Sequence, residues 1–279
     1  MPMVNVAKDV NLYVQDWGKG KPIVLIHGWP LSHRMWEYQA SGIVNHGYRV
    51  VAIDLRGYGY SDKPWEGNDY DTWASDIGKV IKDRNLHDVT LVGFSMGGAI
   101  AMHYVATTND SRISKLALLA AAGPCLIKKT DNPQGIPRQI WDGFLQAEIQ
   151  DRAKFKHEFN KSFFNKPVSQ ELNHWFEAIG MQADAHASLQ GLEELGAHDL
   201  RTEISTIKIP TRSFHGLKDK IVPFAMAEEQ KKLIKGLEIV KFENSGHGMF
   251  IDEDDKLFEE LLLFHEEEIG RKVPMQIAA

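Results

Sequence analysis

Long apolar runs alternating with helical stretches place this chain in the α/β class, as a mostly parallel sheet covered by helices on both faces and carrying a helical insertion. Three observations predict this. The runs at 22–26, 49–53, 89–92 and 115–119 are nearly unbroken apolar segments, the pattern of strands buried on both faces. Helical patterns at about 35–45, 72–85 and 98–107 fall between them, and that spacing implies right-handed crossovers between parallel neighbours. From about 126 to 205 there is no buried-strand run, only helical patterning.

Taken in order, residues 12–17 alternate as a half-buried strand does and end at Gly18-Lys19-Gly20, read as a hairpin-like turn into 22–26. In the insertion, Phe155, Phe159 and Phe163 fall four apart and share a helix face. Trp141, Phe144, Leu145 and Ile149 form a second stripe, and Trp175, Phe176 and Ile179 a third. Most of these aromatics are expected to pack the insertion's own core, which would lie as a cap over a site. The sheet resumes at 209–214 and 237–242, each run followed by an amphipathic helix, the last over 254–267. No repeat, low-complexity segment or long linker marks a second independent domain. The expected division is a core of 1–124 and 206–279 with a cap over 125–205.

Composition narrows the function classes. At 279 residues, 43% hydrophobic and 25% charged, the chain has the make-up of an ordinary globular protein with one large core. A formal net charge of −6 and the lack of any basic run argue against a nucleic-acid or anionic-membrane partner. The start Met1-Pro2-Met3-Val4-Asn5-Val6 has no apolar core of a signal peptide. With a single cysteine, Cys125, there is no internal disulfide, which fits a cytoplasmic protein. Cys125 follows Gly123-Pro124 without a local base and reads as a buried, inert thiol. Self-association into a homo-oligomer is left open.

Gly93-Phe94-Ser95-Met96-Gly97 carries the chemistry. It is a G-x-S-x-G pentapeptide between a strand and a helix start, the setting in which a serine sits on a strained turn with Oγ thrust clear of the sheet. Serine needs a base. Of 12 histidines, His247 stands apart, in Ser245-Gly246-His247-Gly248-Met249 just after the last strand, at the carboxyl ends of the parallel strands. His157, His174 and His265 read as surface or structural residues. The base needs a carboxylate to fix its tautomer. Asp219 follows the 209–214 strand at the same sheet end, with Asp199 (a cap-to-core contact) and Asp252 (a helix N-terminal carboxylate) as the weaker alternatives. The resulting order Ser95, Asp219, His247 is that of neither chymotrypsin nor subtilisin. Two oxyanion donors are required. One is the backbone N–H of Met96 and the other that of Trp29, in His27-Gly28-Trp29-Pro30, because Pro30 has no N–H. His27 is expected to hold that loop by hydrogen bonding. Pro30, Phe94, Met249 and Phe250 are expected to line the substrate pocket, and the bulky loop favours short acyl groups. Pro30 is further expected to turn the Trp29 carbonyl toward the site, where it would accept a hydrogen bond from peroxide.

These segments, with Asp54-Leu55-Arg56-Gly57-Tyr58-Gly59-Tyr60-Ser61-Asp62 and His215-Gly216-Leu217-Lys218-Asp219, together resemble the α/β-hydrolase fold superfamily over about 4–124 and 206–268. The nearest subgroup is similar to the cofactor-free bacterial haloperoxidases, or perhydrolases. The resemblance implies an eight-stranded sheet and hydrolysis of a small-molecule ester through an acyl-enzyme. It also implies side reactivity with hydrogen peroxide in some members, and neither metal nor haem. The chain departs from the subgroup's Gly-x-Ser-x-Gly-Gly-Gly in having Ala99 at the last position. A serine rather than an aspartate nucleophile speaks against haloalkane dehalogenases and epoxide hydrolases. Two rival readings are a carbon–carbon bond or enol-lactone hydrolase of the same fold and a slow-turnover ligand receptor.

Overall fold

A computed structural model describes residues 2–268. β1 (Met3–Ala7) and β2 (Val10–Gly18) pair antiparallel, and β2 pairs antiparallel with β4 (Arg49–Ile53). From β4 onward every pairing is parallel: with β3 (Pro22–Ile26), then β5 (Val89–Phe94), β6 (Ile113–Leu119), β7 (Thr211–Gly216) and β8 (Glu238–Phe242). The result is one eight-stranded sheet in the order β1-β2-β4-β3-β5-β6-β7-β8. The turn at 18–20 therefore closes no hairpin, contrary to the reading above. β2 and β3 both flank β4 instead of each other. β3 is buried at all five positions, which a strand achieves between two parallel neighbours with helices above and below.

Period-two alternation divides each central strand between two cores. Val24, Ile26, Val51, Ile53 and Leu91 face one side, and Ile23, Leu25, Val50, Ala52 and Val92 face the other. α1 (Glu37–Asn45), preceded by a 3₁₀ turn at His33–Trp36, covers the second side. α2 (Tyr70–Asp83) and α3 (Met96–Thr108) cover the first. α2 starts where Asp69 accepts a hydrogen bond from the Thr72 N–H at 2.7 Å, an N-cap satisfying an otherwise orphan donor. α3 is buried from Met96 to Ala106 on all its faces, so it is sheathed by the sheet, α2 and the inserted helices.

Between β6 and β7 the described residues form helices without strands: α4 (Arg138–Asn160), α5 (Gln170–Met181), α6 (Ala185–Ala197) and α7 (Arg201–Ile204). α4 breaks at Asp151 (φ −156°, ψ 79°), whose carboxylate caps the second half by accepting from the Lys154 N–H at 3.0 Å. That break puts Ile149 out on the surface, 59% exposed, so it leaves the stripe with Trp141. Phe163 lies past the end of α4, yet its ring still meets Phe159 at 6.1 Å. α8 (Ala225–Leu233) follows β7, and α9 (Met249–Asp252) and α10 (Asp254–Glu266) follow β8. The core segment expected to run to 279 extends over 269–279, which lie outside the described residues. Among the described residues no helix is long and apolar enough to cross a membrane.

Candidate active site

Ser95 occupies the junction of β5 and α3 with φ 52° and ψ −118°. A non-glycine residue with positive φ is strained and persists only where its surroundings hold it. They do: the Ser95 N–H donates to the Leu119 carbonyl at 2.9 Å, and the Ser95 carbonyl accepts from Gly98 at 2.9 Å and Ala122 at 3.0 Å. The two glycines of the pentapeptide are required by close approach. A Cβ on Gly93 would meet the Gly98 Cα at 2.6 Å, and one on Gly97 would meet the Ile26 carbonyl oxygen at 2.6 Å. The serine hydroxyl thus projects at the start of α3, where unpaired N–H groups favour developing negative charge.

The loops after β7 and β8 bring Asp219 and His247 together. His247 Nδ1 lies 2.7 Å from Asp219 Oδ2. An ionised carboxylate only accepts, so Nδ1 carries the proton and Nε2 is left with its lone pair. Asp219 Oδ1 accepts from the Ile221 and Val222 N–H groups at 2.8 and 2.9 Å. Both side chains are buried. Burial works against ionisation of Asp219, but the charge and hydrogen bond of His247, with His215 and the Val222 N–H, outweigh it and hold the carboxyl below its ordinary value. Buried His215 sits beneath, donating through Nε2 to the Val222 carbonyl at 2.8 Å, and its burial lowers its basicity. The His247 ring is 4.7 Å from that of Phe94, the residue before Ser95, and 5.1 Å from that of Phe163.

On the other side of Ser95, the loop after β3 is tied down by His27. Its Nε2 accepts from the Leu55 N–H at 3.0 Å, so Nδ1–H donates to the Gly28 carbonyl at 3.0 Å. Among the described residues the backbone N–H groups of Trp29 and Met96 donate to no acceptor. Trp29 and Ser95 line a cavity of about 460 Å³. The rest of its wall is mainly apolar: Ala122 and Leu126, the aromatic rings of Trp141, Phe144, Phe155 and Phe159, and Leu192 and Leu195, with Glu158 and Lys220 as its charged members.

Four residues expected in the pocket lie elsewhere. Phe94, Met249 and Phe250 are wholly buried in the core on the α1 side of the sheet, and Phe250 stacks on Phe176 at 5.8 Å. Strand alternation and the short turn of α9 point these side chains into that core and away from the cavity. The Pro30 ring packs toward Gly180 of α5 and is also absent from the cavity wall. Asp252 lies in the first turn of the short α9, and its carboxylate reaches to neighbouring loops. It accepts from the backbone N–H groups of Gly246, Asn165 and Lys166 at 2.8, 2.8 and 3.0 Å, and so braces the His247 loop against the insertion. Asp199 joins Lys129 and Arg201 in an ion-pair cluster. Cys125 is buried, which raises its thiol above the ordinary value.

Residue types alone gave no signal for the supports of the Trp29 side. Asp54 accepts from the His33 N–H at 2.6 Å and the Tyr60 N–H at 2.8 Å, and Arg56 forms a buried two-pronged ion pair with Asp76 of α2 at 2.8 and 3.0 Å. The charged spacing in the Asp54–Asp62 segment was visible. Its partners His33 and Asp76, 21 and 20 residues away, were not.

The model of the α/β hydrolase fold family matches residues 21–254. An AB hydrolase superfamily protein of Bacillus subtilis, YisY, is 44% identical over 254 residues, covering 91% of this chain and 95% of that protein. A non-heme haloperoxidase of Rhodococcus erythropolis is 34% identical over 274 residues, covering 95% and 100%. Among solved structures, an esterase from Exiguobacterium antarcticum superposes with a TM-score of 0.93 at 38% identity, covering 95% of this chain and 99% of that one. The sheet order, the serine turn after β5 and these matches agree: the chain belongs to the α/β-hydrolase fold family, among its haloperoxidase-like members.

Proposed function

We propose that this protein is a serine esterase that hydrolyses small, uncharged carboxylic esters through an acyl-enzyme. The observation that carries the reading is Ser95, held at positive φ on the edge of an apolar cavity, with the buried Asp219–His247 pair in the adjoining loops. His247 Nε2 takes the Oγ proton as Oγ attacks the ester carbonyl. The N–H groups of Met96 and Trp29 receive the oxyanion; removing one such donor typically costs roughly 3 kcal/mol of barrier. His247 returns the proton to the departing alcohol, and water, deprotonated by the same imidazole, releases the acid. Hydrogen peroxide in place of water would take the acyl group as a peracid and regenerate Ser95. The resemblance to a non-heme haloperoxidase supports that side reaction.

The cavity is read as the acyl site because Ser95 opens into it. At about 460 Å³ it is within the size range of ligand pockets, and its space extends past what an acetyl group fills. Turnover of p-nitrophenyl esters from acetate to decanoate tests the reading. Wild type should hydrolyse the series, with Ser95→Ala inactive yet folded. Hydrolysis by Ser95→Ala within tenfold of wild type would overturn it.

A further inference from the structure

The Trp29 indole is held by more than packing. Its Nε1–H donates to the Ser188 carbonyl of α6 at 2.8 Å. Phe159 meets the ring edge-on at 5.3 Å and Phe155 lies tilted at 5.9 Å. Over the ring face, 5.2 Å from its centroid, sits the Lys156 ammonium, in the geometry of a cation–π contact. Lys156 is 3% exposed and is paired with buried Glu148. Ser188 Oγ accepts from Lys156 Nζ at 3.2 Å and donates to Glu148 Oε1 at 2.8 Å. The same helix bears Gly191, where a Cβ would lie 3.1 Å from the Trp29 Cδ1 and 3.4 Å from the Met96 Sδ. α6 is therefore seated against both residues whose backbone N–H groups are proposed to receive the oxyanion.

Neither Lys156 nor Glu148 lines the cavity, so neither touches the substrate. A buried ion pair is also weak as a stability device, because desolvating both charges offsets their attraction and an apolar pair of similar size often serves as well. Its position over one particular indole is the informative feature. Trp29 has two side-chain torsions, so fixing the ring fixes the residue and with it the direction of its N–H. Misplacing a catalytic group by about 1 Å can cost about 10²-fold in rate.

We propose that Lys156, clamped by Glu148 and Ser188, is a positioning residue for the oxyanion hole that holds the Trp29 N–H in line by pinning its indole to α4 and α6. The proposal rests on the serine-esterase reading. Burial, opposed by the Glu148 carboxylate, lowers the Lys156 ammonium to about 8.

The test uses the full-length protein. Active sites are counted by driving phosphonate labelling of Ser95 to completion, and kcat and KM for p-nitrophenyl butyrate are then expressed per labelled site. Affinity for a trifluoromethyl ketone, which forms an oxyanion on the serine, is measured in parallel. Lys156→Met should lower kcat at least tenfold and weaken the ketone by a similar factor, with KM moving less than threefold. The double variant Glu148→Gln/Lys156→Met leaves no buried lone charge from this pair and should fold even where the single variant fails, and it should show the same losses. Lys156→Arg, which keeps a cation over the ring, should recover much of both. A folded double variant with kcat and ketone affinity within twofold of wild type would overturn the clamp while leaving the esterase intact. A wild type that neither labels nor turns over esters would overturn the esterase reading itself.

Discussion

The two oxygens of Asp219 do separate work. Oδ1 takes the Ile221 and Val222 N–H groups and fixes the loop, while Oδ2 takes the His247 Nδ1–H and sets the tautomer. Asp219→Asn keeps the shape and the loop acceptor but can offer an N–H where His247 needs an acceptor. The imidazole would then carry its proton on Nε2, the atom proposed to take the Ser95 proton. We expect kcat for ester hydrolysis to fall on the order of 10⁴-fold with the melting temperature nearly unchanged, as a wrong tautomer does in a serine triad. A loss under tenfold would mean that Asp219 does not orient the base. Ser95, Asp219 and His247 could each be picked out of the sequence as candidates because each follows a strand and sits among glycines or turn residues. Phe94, Met249 and Phe250 were misassigned for the opposite reason. Nearness along the chain to Ser95 and His247 says nothing about which side of the sheet a side chain enters, and all three enter the core beneath. Lys156 and Glu148 left no signal, since eight residues separate them across the break in α4.

At the scale of elements, α2, α3 and α7 meet at one histidine. His103 of α3 is buried, with Nε2 2.8 Å from Asp71 of α2 and Nδ1 2.9 Å from Glu203 of α7. The Glu203 hydrogen bond, reinforced by Asp71 and opposed by burial, holds its imidazole above the ordinary 6.5. The folded state therefore binds this proton more tightly than the unfolded chain does. The stabilisation is fully present below pH 6.5 and is lost as pH rises through the folded value. Wild type should lose more of its melting temperature between about pH 6 and pH 8.5 than His103→Gln does. His198, raised by Glu194 in the same sense, remains in the variant and keeps some of the slope. Equal slopes in the two proteins would show that folding does not raise the His103 imidazole. The helical content of α2 could be read from apolar periodicity and that of α3 from its small-residue start, but this junction could not, because Asp71, His103 and Glu203 come from three segments. The break at Asp151 was hidden as well: it falls between the 141–149 and 155–163 stripes, and neither stripe marks it.

For the whole molecule, the strand ends carry Ser95, Asp219 and His247, and the segment between β6 and β7, loops and helices together, supplies most of the cavity wall around Ser95. Acyl preference should therefore be adjustable from α4 and α6 without touching the chemistry. Ala147 of α4 is a small residue in that wall and is not a member of the buried Lys156–Glu148 pair. Ala147→Phe adds a ring to the cavity while leaving Ser95, Asp219 and His247 in place. Losing room for even one methylene in an apolar pocket changes discrimination roughly 10- to 200-fold. The ratio of kcat/KM for octanoate to that for acetate should consequently fall at least tenfold in the variant, with acetate turnover within threefold of wild type. The measurement is a pair of progress-curve series on the two p-nitrophenyl esters at equal labelled-site concentration. If both esters fell together, the ring would have disturbed the serine turn instead of the acyl space. If neither changed, the acyl chain would leave Ser95 by another route and the cavity would hold the alcohol.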